Sequence, residues 1–199
     1  MTILILLAHP NPGSLNHAIA APCRDTALAF GHEVVLHDLC AEGFDAHLPA
    51  EEIRRSAELP PTIAQHCADL AAADGIIIVH PNWWGMPPAV LTGWVDRVVR
   101  PGVAYEFVDG DSGEGVPRGL LRARWALVLN TSDTAAKRET AVFGDPLERI
   151  WRDCVFGLCG VTDVRRHVFR TVVTSSAEER AGWLAQAAEL VRAAVSQAG

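Results

Sequence analysis

Much is missing from these 199 residues, and each absence narrows what the chain can be. No apolar run approaches the roughly 18 residues that a membrane-crossing helix requires. The stretch Met1 to Pro10 is apolar, yet it has neither a basic leading segment nor a small-residue cleavage site. It is therefore expected to be a strand and not a secretion signal. The cysteines, Cys23, Cys40, Cys67, Cys154 and Cys159, number five and show no CxxC spacing. They read as reduced, mostly buried small hydrophobes, not as a disulfide framework or a zinc site. A cytoplasmic setting without a bound metal is the expectation. Positive charge is also scarce. Lys and Arg total 17 against 24 Asp and Glu, a formal charge of −7, which disfavours a grip on the phosphate backbone of nucleic acid. Two phosphate-binding signatures are absent as well: no GxGxxG follows the first apolar run, and no GxxxxGK[ST] occurs anywhere.

What is present describes an ordinary globular protein. Hydrophobic residues make up 49% and charged residues 21%. At roughly 150 residues per domain, the length predicts a single domain over 1–199. Ile3 to Ala8, Gly75 to His80 and Arg124 to Asn130 are apolar without polar alternation, Val164 to Thr171 is weaker, and His32 to Leu36 is mixed. Strands of that kind are covered on both faces, as in parallel sheets. Helical stretches lie between them. Leu15, Ile19, Cys23 and Ala27 recur every four residues after Ser14. A helix follows Pro60-Pro61 through Cys67 and Leu70, and another after Pro87-Pro88 carries Leu91, Trp94, Val95 and Val98. Asp145-Pro146 opens a fourth, with Leu147, Ile150, Trp151, Cys154 and Val155. Ser176 and Glu179 fit a capping box ahead of an amphipathic last helix. The alternation predicts an α/β fold, a doubly wound five-stranded parallel sheet of order 2-1-3-4-5 with helices on both faces. Two stretches, Val99 to Gly119 and Thr131 to Gly144, are expected to be long loops.

In such sheets ligands bind beyond the carboxyl ends of the strands, where the order reverses. Three segments should then converge: His9 to Asn16, Pro81 to Pro87, and Thr131 to Thr134. Gly13-Ser14 at a helix start offers free amides and a hydroxyl to a phosphate, or Ser14 simply caps its helix. Trp83 and Trp84, bracketed by Pro81 and Gly85-Met86-Pro87, cannot both enter one core face. At least one lines a cleft for a planar ligand, or the two form an interface patch. Asn130 to Asp133 either bonds the polar edge of a heterocycle or is a turn. Tyr105 and Phe107 are either a loop anchor or a second aromatic wall.

Three pieces occur together and in order: Ile5 to Pro10 followed by Ser14-Leu15-Asn16, then Pro81 to Val98, then Ala104-Tyr105-Glu106-Phe107. In this the chain resembles the flavodoxin-like NAD(P)H:quinone oxidoreductase family, which includes DT-diaphorase, the modulator of drug activity B and the ancillary flavoproteins of potassium efflux. The resemblance implies a flavodoxin-like fold, a non-covalent flavin, and NADH or NADPH as co-substrate. It further implies a ping-pong two-electron reduction of quinones or similar acceptors, in a homodimer. His9, Ser14, Leu15 and Asn16 would surround the flavin phosphate tail, Pro81, Asn82, Trp83, Trp84 and Gly85 its ring, and Thr131 and Ser132 its pyrimidine edge. Tyr105 and Phe107 match quinone-pocket positions that relatives share across the dimer. FMN is favoured over FAD, because the C-terminal extension of DT-diaphorase has no counterpart here. Three departures stand out. Pro81 to Pro87 is one residue short, Asn130 to Thr134 replaces a Thr-Thr-Gly-Gly loop, and Ala135 to Gly144 holds no counterpart of the Tyr and His that assist hydride transfer, so the catalytic residues are unassigned. The competing expectation is a flavodoxin-type electron carrier or a regulatory flavoprotein subunit that does not turn over NAD(P)H.

Overall fold

The computed structural model describes residues 1–108 and 117–197, so part of the expected 99–119 loop lies outside the described residues. Five strands form one sheet: β1 (Thr2–Leu7), β2 (Glu33–Asp38), β3 (Gly75–Pro81), β4 (Trp125–Ser132) and β5 (Asp163–Arg170). All neighbouring pairs are parallel, and the order is β2-β1-β3-β4-β5, as the alternation predicts. A short antiparallel ribbon, Tyr105–Glu106 against Arg118–Gly119, stands outside this numbering. Every residue of β3 and β4 is buried, which is why both read as unbroken apolar runs.

Helices α1 (Leu15–Ala29), α2 (Pro61–Ala72), α3 (Ala89–Val98), α4 (146–157) and α5 (Ala177–Gln197) cover the two faces. Alternate strand residues feed two cores. Ile3, Ile5, Ile77, Val79, Leu127 and Leu129 pack with Ile19, Cys23 and Ala27 of α1 and Ala187, Val191 and Ala194 of α5. Leu4, Leu6, Ile76, Ile78 and Val128 pack with Cys67 and Leu70 of α2, Leu91 and Trp94 of α3, and Leu147 and Trp151 of α4. Burying each large aliphatic side chain contributes about 1.5–3 kcal/mol. Three of the cysteines, Cys23, Cys67 and Cys159, are buried; Cys154 is exposed. The capping box ahead of α5 is made reciprocally: Ser176 N donates to Glu179 Oε2 at 2.7 Å and Glu179 N to Ser176 Oγ at 3.1 Å.

Two expectations are corrected. The stretch Thr131 to Gly144 is not one long loop: β4 runs on to Ser132, and residues 136–143 are helical, ending at Gly144 in the left-handed region with φ 73°. Secondly, α4 begins as α-helix over Pro146–Arg149 and continues as π-helix over Ile150–Gly157. Wider i→i+5 winding brings residues five apart onto one face. That turns both Trp151 and Phe156 inward, with ring centroids 5.9 Å apart.

Candidate binding cleft

Beyond Leu7 the chain turns sharply. Asn11 N donates to His9 Nδ1 at 3.1 Å, Gly13 N to Asn11 Oδ1 at 2.9 Å, and Ser14 N to Asn11 O at 3.0 Å. Ser14 then caps α1, its Oγ accepting from His17 N at 3.3 Å. The amides of Leu15 and Asn16 have no partner among the described residues and lie at the positive end of α1, the arrangement that suits an anion. The capping reading of Ser14 holds, whereas the amides of Gly13 and Ser14 are not free: both are taken by Asn11, and Ser14 Oγ also meets His17 Nδ1 at 2.9 Å. Asn16 lines the cleft through its backbone. Its side chain is 3% exposed and donates through Nδ2 to Thr131 Oγ1 at 3.1 Å, bracing α1 against β4. Only its backbone amide is free for an anion.

At the end of β3, Asn82 N donates to Thr131 O at 2.7 Å and prolongs the ladder. Trp83 and Met86 then exchange backbone bonds of 3.2 and 3.0 Å around a two-residue turn, with Trp84 at φ 59° and Gly85 at φ 75°. Asn82 Oδ1 braces this turn by accepting from Gly85 N at 3.0 Å. A Cβ at Gly85 would lie 2.7 Å from Pro146 Cγ, so the turn can rest on α4 only without a side chain there. Trp83 leans over His9, with ring centroids 5.7 Å apart, while Trp84 stands 95% exposed. Burial holds the His9 imidazole below its ordinary pKa. From β4, Ser132 Oγ accepts from Thr134 N at 3.1 Å, and Asp133 Oδ1 accepts from Val173 N at 2.7 Å.

The nine residues His9, Ser14, Leu15, Asn16, Pro81, Asn82, Trp83, Thr131 and Ser132 line one cleft of about 250 Å³, joined by Asp133, Thr134 and Val172. Trp84 and Gly85 line a neighbouring cavity of about 540 Å³, which shares Asn82 and Thr134 with the cleft and adds Glu139, Phe143 and Pro146. A third hollow of about 370 Å³ runs from Ser14 and Leu15 between α1 and α5, past Arg180. Tyr105 and Phe107 join none of these. Their rings meet edge-on at 5.9 Å, and Phe107 borders a separate hollow with Arg55, Glu106, Val108 and Arg118.

Beneath the cleft lies a polar network that sequence reasoning missed. His80 is fully buried; its Nδ1–H donates to Pro81 O at 2.8 Å, and Nε2 accepts from Trp151 Nε1 and Asn130 Nδ2, each at 2.9 Å. Two donors at Nε2 require its lone pair, so the ring is neutral with the proton on Nδ1. Burial accordingly pushes its pKa down to about 4. Asn130 Oδ1 in turn accepts from Arg166 Nε at 2.6 Å, and Arg166 Nη1 meets Asp145 Oδ2 at 2.9 Å. Val172, Glu139, Phe143 and Pro146 also escaped prediction: Val172 follows the weakly legible last strand, Glu139 and Phe143 lie in the stretch expected to be loop, and Pro146 was assigned only to a helix start. Elsewhere, His37, Glu42 and His66 have nitrogens and carboxylate oxygens within 4.8 Å of one another. Trp94 Nε1–H donates to His66 Nδ1 at 3.1 Å, which leaves the proton on the Nε2 that faces Glu42. That nitrogen has no lone pair to offer a metal.

A strand-end cleft with a helix N-terminus at one side and the Trp83 indole at the other lies where doubly wound sheets bind their ligands. A family model described as a flavodoxin-like fold matches residues 1–193, and the chain belongs to that family. Among relatives, an uncharacterized NAD(P)H oxidoreductase of Haemophilus influenzae is 29% identical over 198 residues, 97% of this chain and 95% of that protein. Human ribosyldihydronicotinamide dehydrogenase [quinone] is 26% identical over 209 residues, 92% and 87% of the two chains. The solved NAD(P)H:quinone oxidoreductase from Methanothermobacter marburgensis superposes with a TM-score of 0.79 at 24% identity, covering 96% of each chain, a likeness of fold. The chain is thus a distant homologue of NAD(P)H:quinone oxidoreductases. No helix among the described residues is long and apolar enough to cross a membrane.

Proposed function

We propose that this protein is a flavin-dependent NAD(P)H oxidoreductase that reduces quinones or similar acceptors by two electrons in ping-pong fashion. The carrying observation is the cleft at the ends of β1, β3 and β4, where unpartnered amides of Leu15 and Asn16 lie at one side and the Pro81–Trp83 backbone and indole at the other. That donor set fits a flavin: amides at a helix N-terminus suit its phosphate, and an apolar strip suits its ring. Leu15 and Asn16 would bind the phosphate, Pro81, Asn82 and Trp83 would orient the ring, and Thr131 and Ser132 would face its pyrimidine edge. When bound, the flavin supplies the hydride chemistry between nicotinamide and acceptor. The chain's own part is to position, to exclude water and to hold charge. Trp83 covers the slot, while the His80 network fixes the Pro81 carbonyl from below.

One pocket serving both substrates in turn predicts parallel double-reciprocal lines when NAD(P)H and quinone are varied, and intersecting lines would end the shared-pocket scheme. The flavin itself is tested by the visible spectrum of the purified protein and by chromatography of the acid-released chromophore. FMN is the expected product. The hollow past Arg180, continuous with the cleft through Ser14 and Leu15, has room for an adenylate, so FAD is the specific competitor. A preparation that stays colourless after soaking in both would sink the proposal. Rapid bleaching by NADH or NADPH alone distinguishes the enzyme from a flavodoxin-type carrier. Tyr105 and Phe107 lie away from the cleft in one chain, and they complete the acceptor pocket only if a second copy brings its own pair across a dimer interface. Sedimentation of the purified protein tests that dimer.

A further inference from the structure

The 540 Å³ cavity beside the cleft has an unusual lining for a site that receives quinones. Trp84 and Phe143, 95% and 50% exposed, give it two aromatic surfaces. The Arg138 guanidinium lies 5.3 Å from the Phe143 ring centre and holds that wall in place. Between them sits Glu139, only 2% exposed, whose Oε1 has no hydrogen-bond partner among the described residues. A buried carboxylate oxygen left without a donor is costly, and native proteins rarely tolerate one without a use. Asn82 and Thr134, the two residues this cavity shares with the cleft, put Glu139 within the space a ligand in the cleft would extend into.

We infer that Glu139 is the specificity-determining residue of this cavity, selecting planar aromatic ligands that carry an N–H donor such as a primary amide or an arylamine. The physical case is one of matching. A carboxylate only accepts hydrogen bonds, so it pairs with N–H groups and repels both carboxylates and the bare carbonyl edge of an unsubstituted quinone. Trp84 and Phe143 add the stacking surface for the ring. Two sources supply this chemistry. One is the carboxamide of the nicotinamide co-substrate, and the other an amino-substituted quinone or dye acting as acceptor. Naming those two rests on the flavin-reductase reading above; the cavity's demand for a donor does not.

Calorimetric titration of the protein as purified tests the inference with two matched pairs. These are nicotinamide against nicotinate, and 2-amino-1,4-naphthoquinone against 1,4-naphthoquinone. The donor-bearing member of at least one pair is expected to bind tenfold or more tightly. A preference confined to the first pair assigns the cavity to the co-substrate, and one confined to the second assigns it to the acceptor. In Glu139→Gln, whose side chain both donates and accepts at nearly the same volume, the preference should fall to within about twofold. Equal affinities within both pairs for the unaltered protein would overturn the inference and leave a buried solvent molecule as the partner of Oε1. So would a preference that survives Glu139→Gln. A colourless protein would end the flavin reading while leaving this titration fully readable.

Discussion

Trp84 is held where few tryptophans are found. Its backbone sits at φ 59° and its indole is 95% exposed, so the fold gains almost no burial from the largest side chain available. A non-glycine residue in that region costs about 1–2 kcal/mol. Ligand contact is the compensating use, and it can be separated from stability. Trp84→Asn, which tolerates the left-handed turn, should raise the unfolding free energy measured in urea slightly, by up to about 1 kcal/mol. It should at the same time weaken aromatic ligands severalfold in the same titration. A variant that is both less stable and unchanged in binding would show that the indole is structural. Gly93, in the middle of α3, makes the opposite point. Helix propensity alone favours Gly→Ala there by about 1 kcal/mol. Yet a Cβ at Gly93 would lie 2.2 Å from Ala46 O and 2.6 Å from Ala46 Cα. Backbone cannot swing aside like a flexible side chain, so Gly93→Ala should lose about 3 kcal/mol, measured by urea unfolding.

At the level of elements, what lets residues 45–54 lie against α3 is one buried ion pair. Arg97 donates to Glu52 through Nε at 2.9 Å and Nη2 at 2.5 Å, and through Nη1 to Asp45 O at 2.7 Å. Arg100 Nη2 adds bonds to the carbonyls of Glu52 and Arg54, each 2.9 Å. Both side chains of the pair are at most 5% exposed. Removing one partner leaves the other charged and buried, so Glu52→Leu or Arg97→Met alone should cost about 3–5 kcal/mol. The double variant should cost clearly less than the sum of the two, and strict additivity in a double-mutant cycle would refute the coupling. None of this was legible beforehand, because a glutamate and an arginine 45 positions apart carry no local signal. The strands were legible where both faces are buried: β3 and β4 read directly as Gly75 to His80 and Arg124 to Asn130. β5 read weakly because it lies at the sheet edge and carries Arg165, Arg166 and His167 among its apolar residues. The helical 136–143 segment was read as loop since its good helix formers, Ala136, Lys137, Arg138 and Glu139, have no apolar period to announce them. The cleft was legible for a different reason. Apart from Val172, its residues come from three short segments whose meeting point follows from strand order alone, whereas Glu139 reaches its cavity through the very segment expected to be loop.

The whole molecule carries its histidines in a way that ties folding to pH. Burial pushes both His80 and His66 down to about 4 from an ordinary value near 6.5, and it lowers His9, His32 and His167 as well. The direction of the effect follows from proton counting. Below pH 6.5 the unfolded chain binds protons at these rings, whereas the folded chain keeps His80 and His66 neutral until about pH 4. Stability is thus fully present above pH 6.5 and is lost as the pH falls from there toward 4, with a limiting slope of about 1.4 kcal/mol per pH unit for each such ring. The contributions of the buried rings add, so the unfolding free energy measured in urea should drop steadily between pH 6.5 and 4, by several kcal/mol in total. Asp74, held low by Thr2 N and Arg122, works in a more acid window: its contribution is lost only as the pH falls below the ordinary carboxylate value of 3.8. The two windows can therefore be told apart in one titration. Replacing His80 with Leu should lower stability at pH 7, since Trp151 Nε1 and Asn130 Nδ2 lose their acceptor, but it should also flatten the slope between pH 6 and 4.5 by about one proton's worth. A slope unchanged by that substitution would mean that His80 titrates alike in the folded and unfolded chain. The neutral ring assigned to it beneath Pro81 would then be wrong.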